Sequence, residues 1–392
     1  MSHLSPQQVF STGGLLKNFP CWTSVDCRTL YAPATLGIDS FRLVQEKIRT
    51  QFTNMTDRFR KKMTEFSDES STNMIFTEDL KNMIHLAENR KDDLDLVQKM
   101  VMKFYRNNKE MRFGNYVFGP VLMRMYYCMN VVEDPLKLFK NPDLEGFFNQ
   151  VLSYQILMDM LYEQKQYQDV LDLYSSCKAP NLEGSRHLVM LVMAACYQLN
   201  TPESLKYAMN VRSNMTQAGK EPMRKASTFI AGLALKQNNP GMALEVTSTI
   251  RQQTYMTVKN IKILALTRVS RFEEVLVHLK GVIEMEVNTD KGTRQSISKE
   301  VLDELLKTLE AGDSKDVLSD TQRICKLLHD HGHVTQKSLN DLLTMEVVAT
   351  ETNVPRRTDK SVLAGSFRSN QNQRHRSGNN PRFTRPGLAE LN

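Results

Sequence analysis

Long apolar runs, paired cysteines and catalytic signatures are scarce or missing in this 392-residue sequence. No stretch approaches the roughly eighteen consecutive apolar residues of a membrane-spanning helix. With a mean hydropathy of −0.42, a soluble chain without membrane insertion is expected. Six cysteines, Cys21, Cys27, Cys128, Cys177, Cys196 and Cys325, form no CxxC and no close pair. That argues against a disulfide framework or a zinc ribbon and suits a reducing compartment. There is no HExxH, no GxSxG and no phosphate loop, because Gly219-Lys220 is followed by Glu221 and lacks the upstream glycine. An enzyme is therefore not expected, and neither is a cofactor.

The net charge is +7, but its location weakens it as a nucleic-acid signal. From Glu351 onward eight Lys/Arg stand against three Asp/Glu, so the tail supplies +5 and the first 350 residues only +2. The tail runs PRRTDK and then SFRSNQNQRHRSGNNPRFTRPG, with too few apolar residues to offset ordering entropy. Residues 348–392 are expected to be a disordered basic tail, similar to arginine-rich segments that fold on RNA, or simply a solubilising one. At the other end, residues 1–37 hold Lys17 and Arg28 against Asp26 alone, amid Ser, Thr and apolar residues. That composition fits a mitochondrial presequence and equally a frayed terminus.

From Asp39 to about Leu343 the apolar residues recur at helical spacing. Val97, Met100, Val101 and Phe104 share one face, as do Val301, Leu302, Leu305 and Leu306. Pro135, Pro142, Pro180, Pro202 and Pro240 fall between helical stretches, and no alternating run is bounded by hairpin turns. The body is expected to be all-α.

Short helices in series call for a test of internal repetition. Segments starting at Tyr116, Val151 and Arg186 align at a period of 35 residues without a gap, and their twelfth residues are Tyr127, Tyr162 and Tyr197. Leu122, Leu157 and Val192 share another column, and Leu138, Leu173 and Ala208 a third. Two further units start near Arg224 and Met256, so the repeat region spans about 116–290. Each unit reads as two antiparallel helices that must stack on neighbours to bury their apolar faces. The expected fold is a right-handed α-solenoid whose first helices line a concave binding face. Residues 38–115 and 291–347 are expected to be helical caps.

The stretch from Ser153 to Leu161, followed by Tyr167 to Tyr174, resembles the pentatricopeptide repeat, and Phe272-Glu273-Glu274-Val275-Leu276 repeats its second-helix pattern. The period favours this family over the tetratricopeptide repeat of 34 residues. A closer resemblance, to animal mitochondrial members, runs from about Phe41 to 345 through FGNYVFGPVLMRMYY, SYQILMDMLYEQKQY, CYQLNTPESLK and ALKQNNPGMAL. It implies a mitochondrial matrix protein acting in RNA processing, maturation or stability and supporting the respiratory chain. The implied partners are single-stranded mitochondrial RNA and RNA-processing proteins.

In this family the fifth and last residues of each unit read one base of single-stranded RNA. The resemblance carries that role to Gln155, Thr228 and Asn260 at fifth positions and to Ser185 and Asp290 at last positions. Pro120 and Met190, also fifth residues, and Gln150, a last one, complete the set. Pro120 and Met190 offer no hydrogen-bonding fork, so weak sequence readout is expected. Lys236 and Arg268 occupy equivalent places near the ends of their first helices and are the candidate phosphate contacts, where other units have Cys128, Glu163 and Gln198. Lys259, Lys262, Arg271 and Lys280 add charge nearby, which locates RNA on units four and five. The tyrosine column is expected to pack between helices rather than stack on bases.

The one metal-like cluster is Cys325, His329, His331 and His333, whose spacing matches no common structural site. Histidines interacting with a helix C-terminus are the default there, and no metal is expected. A tetratricopeptide-like protein-binding scaffold is the competing expectation, favoured by the degenerate fifth positions and the almost neutral body. Oligomeric state is left open by the sequence.

Overall fold

The computed structural model describes residues 30–111, 116–176, 182, 184–286, 296–312 and 315–347. The presequence-like residues 1–29, Asp290 and the basic tail from 348 lie outside the described residues. Within them the chain forms seventeen α-helices and a single two-residue parallel strand pair. None of these helices is long and apolar enough to cross a membrane.

The helices are α1 (Ile38–Gln51), α2 (Thr56–Ser67), α3 (Thr77–Leu86), α4 (Lys91–Met111), α5 (Gly119–Met129), α6 (Glu133–Lys140), α7 (Val151–Glu163), α8 (Tyr167–Ser175) and α9 (Arg186–Leu199). They continue with α10 (Pro202–Gln217), α11 (Arg224–Lys236), α12 (Pro240–Ser248), α13 (Met256–Arg268), α14 (Phe272–Glu286), α15 (Lys299–Glu310), α16 (Lys315–Asp330) and α17 (Leu339–Thr344). Each odd-numbered helix from α1 to α13 packs on the next odd-numbered one, so the first helices of successive pairs lie side by side, as in an α-solenoid. The flanking segments read from sequence as caps continue this stack. There α1 packs on α3, α2 on α4, α13 on α15 and α14 on α16.

Local chemistry explains the short helices. Pro202 and Pro240 occupy the first turn of α10 and α12, where a missing N–H removes no helical bond. Thr201 caps α10 by accepting the Ser204 N–H at 3.1 Å, and Asn239 caps α12 by accepting the Met242 N–H at 3.1 Å.

The turn between the two helices of each unit follows one rule. Asn130, Lys165, Asn200, Asn238 and Ser270 are the non-glycine residues of positive φ among the described residues, and each is the fifteenth of its unit. A left-handed residue satisfies the last carbonyls of the first helix while reversing the chain. Asparagine tolerates this conformation, whereas lysine is strained in it. Lys165→Gly, at φ 61, is therefore expected to stabilise the protein by about 0.5–1 kcal/mol. A rise in the denaturation midpoint would be the readout, and no rise would mean that the Lys165 side chain offsets the strain.

Two of the first helices are buried all round. Every residue from Leu188 to Tyr197 in α9 and from Ala226 to Leu235 in α11 is buried. Such a helix needs cover on every side. Neighbouring first helices and the second helices supply three sides, and the chain's own ends supply the fourth. Residues 30–38 lie against α5 and α9: Arg124 Nε donates to the Leu36 carbonyl at 2.8 Å, and the Tyr31 hydroxyl bonds His187 Nδ1 at 2.9 Å. From the other end α17 packs on α11 and α13, and Asn340 Oδ1 accepts the Tyr197 hydroxyl at 3.1 Å.

The two ends meet where the Val347 N–H donates to the Leu30 carbonyl at 2.9 Å. Leu30, Tyr31, Leu36 and Ile38 are fully buried, and Leu343 is 1% exposed. A pair of short strands, β1 (Ile297–Ser298) and β2 (Val334–Thr335), anchors the C-terminal arm beside α15. The sequence reading left the first helices lining an open concave face. This clasp corrects that expectation, because residues 30–38 and α17 lie against the first helices.

Candidate nucleic-acid interface

The ends of the first helices are tied together by a contact that recurs from unit to unit. The thirteenth residue of one unit reaches the twelfth residue of the unit before. Glu163 Oε1 accepts the Tyr127 hydroxyl at 3.5 Å, and Gln198 Nε2 donates to the Tyr162 hydroxyl at 3.1 Å. Lys236 Nζ sits 3.6 Å from the Tyr197 ring centroid and donates to the Tyr197 carbonyl at 3.4 Å. Arg268 Nη1 donates to the Leu235 carbonyl at 2.6 Å, and its Nε meets Glu304 Oε1 at 2.7 Å.

Lys236 and Arg268 are thus cations at the carbonyl ends of preceding first helices, where the macrodipole favours positive charge. Burial lowers the Lys236 ammonium from its usual range. Both side chains still reach solvent, so they stand on an accessible edge while serving as rungs between units. Of the tyrosine column, Tyr162 and Tyr197 are buried and Tyr127 is half-buried.

Most positions expected to face bases are closed in. Gln155 is 6% exposed, Thr228 1%, and Met190 and Asn260 are fully buried. Thr228 turns its hydroxyl back to the Lys225 carbonyl at 2.8 Å. Asn260 Nδ2 donates to the Met256 carbonyl at 2.9 Å, and its Oδ1 accepts the Ser298 N–H at 2.8 Å. That amide fixes the entry to α15 and, in this arrangement, has no edge left for a base. Ser185, just before α9, stays half-buried, and Asp290 lies outside the described residues. The structure therefore brings Lys236 and Arg268 to one edge, leaves Ser185, Gln150 and Pro120 half-buried just before or at the starts of first helices, and takes Gln155, Met190, Thr228 and Asn260 into the interior.

Sequence reasoning missed a buried acid. Asp159 in α7 is fully buried, and neither of its carboxylate oxygens has a hydrogen-bond partner. Burial, then the charge of Glu163 one turn on, holds its carboxyl well above the ordinary range, against a weaker opposing effect of the Tyr31 main chain. Glu163 itself is pushed up to about 7 by burial. The signal available was an aspartate inside the apolar run ILMDMLY.

At the other end, Cys325 is half-buried with its thiol pushed up to about 11 by burial, and His333 is 1% exposed. Among the described residues no group of three or more His, Cys, Asp or Glu could hold a metal ion.

Comparison with known proteins adds kinship to this geometry. No family model matches the chain. Pentatricopeptide repeat-containing protein 2, mitochondrial, of Pongo abelii is 30% identical over 271 residues, covering 69% of this chain and 70% of that protein. The Homo sapiens protein of the same name is 29% identical over 295 residues, 75% of this chain and 72% of that protein. The Danio rerio one is 27% identical over 303 residues, 74% and 78% respectively. With first helices in series, a left-handed residue at the fifteenth place of five units and this extent of shared sequence, the chain belongs to the family of the mitochondrial pentatricopeptide repeat-containing protein 2.

Proposed function

We propose that this chain is a non-catalytic RNA-binding protein of the mitochondrial matrix, acting in the processing, maturation or stability of mitochondrial transcripts and so supporting the respiratory chain. The observation that carries the reading is membership of the family together with the serial stack of first helices; the superhelix is taken as right-handed, as the family resemblance implies. Single-stranded RNA is the proposed ligand, with RNA-processing proteins as further partners.

Gln155, Thr228 and Asn260 are closed in, which supports binding through the phosphate backbone rather than through base identity. Lys236 and Arg268 are the phosphate contacts proposed from the repeat register, and Ser185 and Gln150 are base-facing candidates that stay half-buried. Affinity for RNA oligonucleotides of one length is then expected to differ less than about tenfold between sequences. It should also fall steeply with salt, by a log–log slope of about −0.7 per phosphate contact. Strong preference for one sequence would contradict the phosphate reading. Crosslinking in intact mitochondria, followed by sequencing of the retained RNA, tests the function itself.

A protein-binding scaffold is the second reading, favoured by the degenerate fifth positions Pro120 and Met190 and a body that carries only +2 over its first 350 residues. Background-level RNA, with one stoichiometric protein partner retained after nuclease treatment, would select it.

A further inference from the structure

The clasp raises the question of which surface remains for a polyanion. Beneath residues 30–38 and 339–347 lie His187, bonded to Tyr31, Tyr197, bonded to Asn340, and Gly232, against Leu343. As it stands this face is closed to phosphate, with Thr228 and Asn260 hydrogen-bonded within the protein. The two rims of the stack remain. At the rim where first helices end, Arg268 is paired with Glu304, Arg271 with Glu274, and the dipoles present their negative ends.

The rim where α9, α11, α13 and α15 begin is different. Arg186, Arg224 and Lys299 are the first residues of α9, α11 and α15, and Lys220 and Arg251 precede α11 and α13. The starts of successive units adjoin there. A Cβ on Gly184 would lie 3.2 Å from Lys220 Nζ, and the Arg224 guanidinium lies 3.6 Å from the Tyr255 ring centroid. Tyr255 is 40% exposed, which leaves an aromatic surface within the basic line. Three acids face it. Glu221 pairs with Arg251 at 2.7 Å across an exposed bridge, Glu300 accepts the Leu339 N–H at 3.0 Å, and Glu346 acts on Lys225. An exposed ion pair such as Arg251–Glu221 holds little energy and yields readily to a phosphate. Four helix N-termini in a row add positive potential to the side chains.

We propose that the concave face is closed by the chain itself and that single-stranded RNA lies along this basic rim. Its phosphates are held by Arg186, Lys220, Arg224, Arg251 and Lys299, and a base stacks beside Tyr255. The assignment rests on the RNA-binding reading above and adds this rim to the phosphate contacts proposed there at Lys236 and Arg268.

The test uses the full chain, a fluorescent 20-nucleotide RNA of mixed sequence and a salt titration of its anisotropy. Arg186→Glu/Arg224→Glu/Lys299→Glu is expected to lose at least about tenfold in affinity and to flatten the salt slope by about 2, from roughly 0.7 per phosphate lost. Lys137→Glu/Lys140→Glu, at two exposed cations of α6 away from this rim, should stay within about threefold of the unaltered protein. Photocrosslinked peptides from the unaltered protein supply a reading independent of how the variants fold. Adducts at 186, 220–225, 251–255 and 299 support the rim, and adducts at 190–197 or 229–233 overturn it. An unaffected rim variant, with the unaltered protein still binding, also overturns the rim while leaving RNA binding intact. No binding by the unaltered protein overturns both readings.

Discussion

Asp159→Asn is expected to make the protein more stable at neutral pH and to leave it nearly unchanged at pH 4. In the unfolded chain an aspartate ionises near pH 3.9. In the folded protein, burial without a hydrogen-bond partner keeps the Asp159 carboxyl protonated to a much higher pH. The folded state therefore binds more protons than the unfolded one, and stability falls as pH rises from about 4 through the raised folded value. The slope is about 1.4 kcal/mol per pH unit while that difference lasts. Glu163, pushed up to about 7, adds a fall of the same sign between about 4.3 and 7. The Tyr31 main chain opposes this only weakly, and the hydroxyls of Tyr31 and of Tyr127 in α5 are themselves raised by burial and by the acids beside them.

Asparagine removes the ionisation and keeps the shape. Urea unfolding from pH 4 to 8 should show the variant more stable at pH 7, with a shallower pH dependence. Parallel curves for the two proteins would mean that Asp159 is ionised and compensated in solution.

Leu343→Ala is expected to destabilise the protein by about 3 kcal/mol, the usual size for a buried leucine truncated in a core. Leu343 is 1% exposed in α17, and its Cδ1 approaches Gly232 of α11 so closely that a Cβ there would stand 2.7 Å away. Gly232 therefore works as a seat for the clasp, and Gly232→Leu should loosen the clasp from the opposite side. Both variants should speed amide exchange in α9 and α11, because the clasp covers the apolar side of those helices. If Leu343→Ala cost less than about 1 kcal/mol and exchange were unchanged, residues 339–347 would be a surface attachment outside the cooperative core.

Much of the fold was legible because its signals are local. The period of 35 shows in Tyr127, Tyr162 and Tyr197, and Asn130, Asn200 and Asn238 mark the turns by their tolerance of positive φ. Pro202 and Pro240 start second helices for a reason carried by each residue alone. The flanking pairs α1 to α4 and α15 with α16 carry no such columns, so they read as caps although they stack like the units between them.

The candidate site was less legible. Repeat register correctly names the equivalent positions, yet register says nothing of what covers them. A warning was present in the run from Leu188 to Tyr197, LVMLVMAACY, which is too apolar for a helix with one face open to water. Lys236 and Arg268 read as free cations because the carbonyls they meet belong to the preceding unit, 39 and 33 residues earlier.

By itself the sequence determined the helices, their pairing and the spacing of the units, since caps, turns and 3.6-residue periodicity act within a few residues. Only the tertiary structure decided which surfaces remain open. Burial of Gln155, Thr228 and Asn260 and closure of the concave face depend on where distant parts of one chain come to lie, as when Val347 bonds Leu30 and Tyr31 bonds His187. An apolar residue records that it needs cover, and the folded chain determines what supplies it.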